Sequence, residues 1–146
     1  MIRRIHPAAG LLALATILVF WTGTVTAELF GAPEAIAAVK RAILWGLLLL
    51  VPAMIAAGAT GTLLAGSRVA PLVQAKKKRM PFIALNGVLV LVPSAFTLDH
   101  LAAAGSFGTT FVAVQAIELI AGIANITLLT LNARDGFRLG RRSSAK

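Results

Sequence analysis

The feature that most constrains this chain is a series of long apolar stretches that contain no charged residue. They cover residues 7–27, 42–67, 80–98 and 101–117, and the last one resumes after a lone Glu118. About 20 apolar residues in a helix are needed to cross a hydrocarbon core of about 30 Å. Because lipid offers the backbone no hydrogen-bond partners, such segments must be helical. The pattern therefore predicts an integral membrane protein.

The predicted fold class is all-α, an antiparallel four-helix bundle in the membrane. Its transmembrane helices are expected at about 8–27, 42–65, 81–98 and 109–132. The connections between them are short, which makes successive helices antiparallel neighbours. With 146 residues, the chain is expected to form a single transmembrane domain, residues 1–146, with no separate soluble domain.

The positive charge lies almost entirely on one side of the predicted bundle. Of 14 Lys and Arg residues, only Lys40 and Arg41 fall in the predicted outer segments, which leaves 14 − 2 = 12 on the other side. This bias places both termini, a basic loop (67–79) and a basic tail (133–146) in the cytosol. Lys40 and Arg41 are expected to extend to the outer interface, where their charges stay hydrated. Four residues are expected to contact the anionic headgroups of the inner leaflet: Lys76, Lys77, Lys78 and Arg79.

The compartment and the amino-terminal helix are open to more than one interpretation. The Ala-, Leu- and Gly-rich composition favours a bacterial inner membrane. Residues 1–27 also resemble a secretory signal peptide, with a basic start, an apolar centre and the acceptable cleavage sequence Val25-Thr26-Ala27. Cleavage would leave three helices in the same orientation. The uninterrupted apolar run to Ala27 favours a retained helix instead.

The fourth predicted helix carries a stripe of polar residues around Glu118. At 100° per residue, Gln115, Glu118 and Asn125 share one face with Gly122 and Asn132. A carboxylate in mid-membrane costs about 2.5–3.5 kcal/mol, so this face is expected to point toward protein or a water-filled cavity. Asn125 falls at the depth of Asn86 on the third helix, which predicts an interhelical amide pair.

Two functions are open for Glu118. In the first, it is protonated and hydrogen-bonded to the Leu48 carbonyl, which Pro52 leaves free, and the stripe fixes helix register. In the second, Glu118 binds a proton, a cation or a cationic solute in a pocket opened by hinges at Pro52 and Pro93. Burial favours the neutral carboxyl unless a cation lies beside it. A contact with a partner protein is a third interpretation.

The sequence offers little for catalysis or for a cofactor. It has no cysteine, no tyrosine, no nucleophile elbow and no phosphate-binding loop. His6 and His100 are predicted at opposite membrane faces, so the two cannot ligate one haem, and no spacing indicates a metal site. The basic residues lie next to helix ends without interleaved aromatics, which argues against nucleic-acid binding.

The sequence thus favours a non-enzymatic membrane component, either a subunit or anchor of a larger complex or a homo-oligomer. Small residues at a spacing of four in the second helix permit close helix contact, inside the bundle or with a partner: Ala53, Ala57, Gly61 and Ala65. One alternative is a small transporter or proton-coupled protein that uses Glu118. A second is a haem- or quinone-linked electron-transfer subunit.

Overall fold

In the computed structural model, the described residues form five α-helices and one π-helical turn. They are α1 (Ile2–Phe30), α2 (Pro33–Ala65), α3 (Pro71–Asn86), a π turn (Gly87–Leu91), α4 (Val92–Ala103) and α5 (Thr109–Ser144). The description covers residues 1–66 and 70–144, without the side chains of Arg3 and of 139–144. Parts of the predicted basic loop and tail, residues 67–69 and 145–146, lie outside the described residues.

Within the described ranges, four helical segments are long and apolar enough to cross a membrane, which confirms the predicted all-α class. They are Arg4–Phe30, Pro33–Ala65, Pro71–Ala103 and Thr109–Arg138. The third span is made of α3, the π turn and α4 in one continuous run.

The helices extend further than the apolar stretches from which they were predicted. The third span begins at Pro71 rather than near residue 81, so most of the predicted basic loop is helical. Likewise α5 continues to Ser144 rather than ending near residue 132, and it includes most of the predicted tail. Lys and Arg are good helix formers, so the backbone hydrogen bonding continues where the apolar run stops.

The helix ends follow local sequence signals. Pro33 is the first residue of α2 and Glu34 is in its first turn, where the fixed proline φ and the acidic charge both favour a helix start. At the end of α4, Gly105 has a φ of 67°. The Ser106 N–H donates to the Leu101 carbonyl at 2.9 Å, and this Schellman arrangement needs the left-handed conformation that glycine adopts freely.

The four spans form a closed ring in which each packs against two neighbours. The α1 helix packs against α2 and α5, and the α3–α4 span completes the ring by packing against α5 and α2. One end of the bundle holds the connections Gly31–Ala32 and Ala104–Gly108, and we call it the turn end. The other end holds the start of α1, the end of α2, the start of α3 and the end of α5, and we call it the basic end.

The small-residue ridge of α2 is used inside the bundle. Ala53 and Ala57 are buried. A Cβ added to Gly61 would lie 3.0 Å from the His6 ring of α1, and His6 Nδ1 lies 3.1 Å from the Ala57 carbonyl oxygen. This part of the ridge therefore seats α1 and is covered within the chain.

Large apolar side chains cover the outside of the bundle. Seven of those exposed by more than half are distributed over all four spans: Val19, Trp45, Leu48, Ile55, Leu63, Phe96 and Ile120. Lipid tails solvate such side chains, so helix association in a bilayer depends on close packing and on polar contacts in the interior. The polar interior of this bundle therefore fixes how its helices fit together.

Candidate functional site

Lys40 is at the centre of the turn end of the bundle. Its side chain is 1% exposed, and its Nζ donates to Glu118 Oε2 at 3.0 Å and to Thr24 Oγ1 at 3.4 Å. The prediction that Lys40 extends to the outer interface is therefore wrong. Lys40 shares a helix face with the buried Ile43, and that face points into the bundle.

The neighbouring cation, Arg41, points away from the interior. Arg41 is one residue further around α2, is 57% exposed, and pairs with Asp99 of α4 through a contact of 2.9 Å. A difference of one residue, or about 100° around the helix, thus separates a buried cation from an exposed one.

The Lys40–Glu118 ion pair crosses the bundle diagonally. Lys40 is on α2 and Glu118 on α5, and in the described part of the chain no Cα of one helix lies within 8 Å of a Cα of the other. The expected contact of Glu118 with the Leu48 carbonyl is replaced by this pair, and Leu48 itself faces outward, 69% exposed. Glu118 is thus neutralised by an interior lysine on the opposite helix of the ring.

Gln115 and Glu28 complete the surroundings of the ion pair. Gln115 Nε2 donates to Glu118 Oε2 at 3.1 Å, one turn away on α5. The half-buried Glu28 of α1 interacts electrostatically with both Lys40 and Glu118. Gln115 Oε1 and Glu28 Oε1 are both buried and have no hydrogen-bond partner among the described residues. We call these five residues the acid–lysine cluster: Thr24, Glu28, Lys40, Gln115 and Glu118.

A cavity of about 60 Å³ adjoins Glu118 and Thr24 between the spans. The rest of its wall is apolar or aromatic and includes Phe20, Trp21 and Leu47. Trp21 is held in this wall by a hydrogen bond from its Nε1 to the Leu119 carbonyl at 3.2 Å. A volume of this size exceeds what one water molecule needs, and Glu118 and Thr24 supply the polar contacts that an interior water requires.

The expected amide pair is present at the centre of the bundle. Asn86 Nδ2 donates to Asn125 Oδ1 at 2.8 Å and to the Ala121 carbonyl at 2.9 Å. Asn125 is 2% exposed, and its Nδ2 donates to the Ile83 carbonyl at 3.3 Å. These contacts fix the register of α3 against α5.

The two predicted hinges lie in different backbone settings. Pro52 lies inside α2 without ending the helix, and its side chain is exposed. Pro93 is at the start of α4, directly after the π turn Gly87–Leu91. A π turn inserts a residue into the helix, so the third span has a local irregularity beside the cavity, which Leu91 helps to line.

The basic end contains a second interior network, and it includes Arg79. Arg79 donates to Asp135 Oδ2 at 2.7 Å and to Asn132 Oδ1 at 3.4 Å. The Asp135 side chain is 3% exposed. Arg79 is therefore held against the bundle by the carboxylate of α5, and its expected contact with lipid headgroups stays a prediction.

The other three cations of this basic run have different surroundings. Lys77 and Lys78 are exposed, and Lys77 donates to the Gly66 carbonyl at 2.8 Å. Lys76 is half-buried, and a Cβ added to Gly136 would lie 3.4 Å from its Nζ. Lys77 and Lys78 thus keep the exposure that a headgroup contact requires.

The two histidines lie at opposite ends of the bundle. His6, near the basic end of α1, contacts Ala57 and also Thr60 Oγ1, at 3.1 Å. His100 is exposed in α4 at the turn end. The described side chains contain no group of three His, Cys, Asp or Glu residues that could hold a metal.

The sequence predicted that Glu118 faces the interior, but it did not predict this for three other ionisable residues: Lys40, Glu28 and Asp135. Lys40 and Glu28 lie in the predicted connection between the first two helices and Asp135 in the predicted basic tail, because each falls next to the end of an apolar stretch. The spacing of Lys40, Ile43 and Leu47 along one helix face is the signal that places Lys40 inside. Comparison with protein-family models, with curated proteins and with solved structures gives no match.

Proposed function

We propose that this protein is a small, non-enzymatic, multi-pass component of the bacterial inner membrane. It serves as a subunit or anchor of a larger membrane assembly or forms a homo-oligomer. The observation that carries the proposal is the closed interior. Two ion pairs inside the bundle join residues of the same chain, Lys40 with Glu118 and Arg79 with Asp135. Such contacts make a rigid, self-contained helical body.

An apolar layer separates the Arg79–Asp135 network from the polar residues nearer the turn end. This layer argues against a transport path through the bundle in this conformation. Ile17, Ile83 and Leu129 form a buried cluster between the amide pair and the Arg79 network. Six partly buried side chains pack on it: Leu14, Leu50, Met54, Met80, Ile126 and Leu128. A transporter would need a second state in which this layer opens.

The proposed orientation places the basic end in the cytosol, together with both termini. Lys77, Lys78, Arg134 and Arg138 are exposed at this end. Near an anionic leaflet each such charge contributes about 1 kcal/mol of attraction. At the opposite end, Arg41 is largely compensated by Asp99. An alkaline phosphatase fusion after position 142 should be inactive, and an active fusion would overturn this orientation.

The proposed role is tested by purifying the tagged chain from its native membrane in a mild detergent. We expect a stoichiometric membrane partner, or a defined homo-oligomer, by mass spectrometry of the intact complex. An unrelated tagged four-helix protein of similar expression is the control for adventitious capture. Recovery as a monomer across several mild detergents would contradict the proposal.

A partner-facing variant can then locate the contact. Trp45 is 69% exposed on α2 at the turn end, and Phe96 is 58% exposed on α4. Substitution by alanine at either site leaves the interior unchanged. Loss of the partner in one variant but not in the other would assign the contact to that face.

A further inference from the structure

Two buried oxygens of the acid–lysine cluster accept no hydrogen bond from the described residues. Lys40 and the Gln115 amide group donate to the same atom, Glu118 Oε2. Glu28 Oε1 and Gln115 Oε1 receive no hydrogen bond, although both are buried. Gln115 is only 6% exposed, so bulk water does not satisfy its oxygen. A buried acceptor without a partner costs about 1–3 kcal/mol, so the cluster is stabilised by anything that supplies a donor.

The same cluster has an excess of negative charge. Glu28 and Glu118 carry two carboxylates and Lys40 one ammonium group, so the formal charge is −2 + 1 = −1. A single proton corrects both deficits at once, because it cancels the charge and turns one carboxylate oxygen into a donor. A metal ion would have to lie beside the Lys40 ammonium group, which repels it.

We propose that Glu28 and Glu118 share one exchangeable proton, so that the acid–lysine cluster is a proton-binding site at the turn end of the bundle. This inference does not depend on the proposed role as a subunit or anchor. The proton comes from bulk water and binds a carboxylate oxygen, and it returns to water by the same route. Glu28 is the natural entry point because it is half-buried and lies two residues before the end of α1.

The other charged residues at the turn end do not neutralise the formal charge of the acid–lysine cluster. On α2, Glu34 is exposed, and Arg41 is neutralised by Asp99 of α4 through the contact of 2.9 Å. His100 of α4 is exposed. The unpaired carboxylate inside the bundle is therefore the one shared by α1 and α5.

The test is infrared spectroscopy of the purified protein in phosphatidylcholine vesicles, titrated from acid to alkaline pH. Wild type should show the absorption of one interior protonated carboxyl group per chain, which disappears as the pH rises. Both Glu28→Gln and Glu118→Gln should abolish this band, because each leaves a single carboxylate that Lys40 neutralises. Glu34→Gln, at the same end but exposed, should retain it and is the matched control.

Lys40→Met gives the opposite expectation. Without the ammonium group the two carboxylates carry a charge of −2, so the band should double and persist to higher pH. Absence of a titrating interior carboxyl in wild type would overturn the proposal. A band that survives Glu28→Gln would do the same, even if Glu118→Gln does not fold. So would a band that responds to exchange of sodium for choline at constant pH, since a cation site would then be present.

Discussion

Replacing Lys40 by methionine should destabilise the bundle more than any substitution of a surface charge. The change keeps the length of the side chain and removes its charge, which leaves Glu118 in the interior without its counter-ion. The two groups are 1% and 13% exposed and are 3.0 Å apart, so water screens them weakly. At an effective dielectric constant of about 20, their gross attraction is about 5.5 kcal/mol.

The net loss is smaller than the gross attraction because Glu118 can take up a proton. Removing one partner of a fully buried pair costs about 3–5 kcal/mol. With a slightly exposed glutamate that can be neutralised, we expect the lower end of this range, about 3 kcal/mol. The additional substitution Glu118→Gln should recover at least about 1 kcal/mol of this loss, since coupled neighbours interact by about 0.5–3 kcal/mol.

The assay is reversible unfolding in lipid–detergent bicelles, with the free energy of unfolding measured for each variant. Lys78→Met is the matched control, because it removes an exposed cation and uncovers no buried carboxylate. Surface substitutions usually change stability by no more than about 0.5 kcal/mol, so this control should be nearly neutral. Equal losses for Lys40→Met and Lys78→Met, or strictly additive losses in the double variant, would refute the reasoning.

Three further substitutions test other interior contacts by the same unfolding measurement. Asn125→Leu should cost about 1 kcal/mol by removing the amide pair at the bundle centre, and an unchanged free energy would show that the pair is energetically neutral. Arg79→Met should cost about 2–3 kcal/mol, because it leaves the buried Asp135 carboxylate without its partner. Lys78→Met, at an exposed site, should change the free energy of unfolding by no more than about 0.5 kcal/mol. Similar losses for both variants would contradict the Arg79–Asp135 network. Gly122→Ala should cost about 1–3 kcal/mol, because the added Cβ would lie 3.0 Å from the Trp21 ring. Tryptophan fluorescence should change as well. Unaltered stability together with an unaltered spectrum would contradict this packing.

The sequence predicted the number and type of the spanning helices because lipid imposes a length and forbids unpaired backbone. Their ends were less predictable. Apolar runs measure how far a helix can lie in hydrocarbon, whereas the helix itself continues through Lys76–Arg79 and to Ser144. Hydropathy therefore located the membrane segments well and the helix ends poorly.

The interior contacts were predicted only where both partners lay inside apolar stretches. Asn86 and Asn125 are both in predicted spans, so their depths could be matched from the helical rise. Lys40 is 78 residues from Glu118 and lies at the edge of its apolar run. A cation at such an edge usually extends to water, and only its position on the buried face of α2 distinguishes it. That face became visible once the ring of helices was known.

Because two carboxylates interact with Lys40, removing the lysine charge should cost more stability than removing the charge of Glu118. Lys40→Met leaves Glu28 and Glu118 without the cation with which both interact, while Glu118→Gln leaves Glu28 as a counter-ion for Lys40. A simple two-residue ion pair predicts similar losses for both variants. A shared proton site predicts that Glu118→Gln costs less by about 1 kcal/mol or more, and that Glu28→Gln costs little, since the remaining pair is balanced. If Glu118→Gln costs more than Lys40→Met, the Lys40–Glu118 ion pair would still stabilise the fold. Glu28 would then not be part of the proton-binding site.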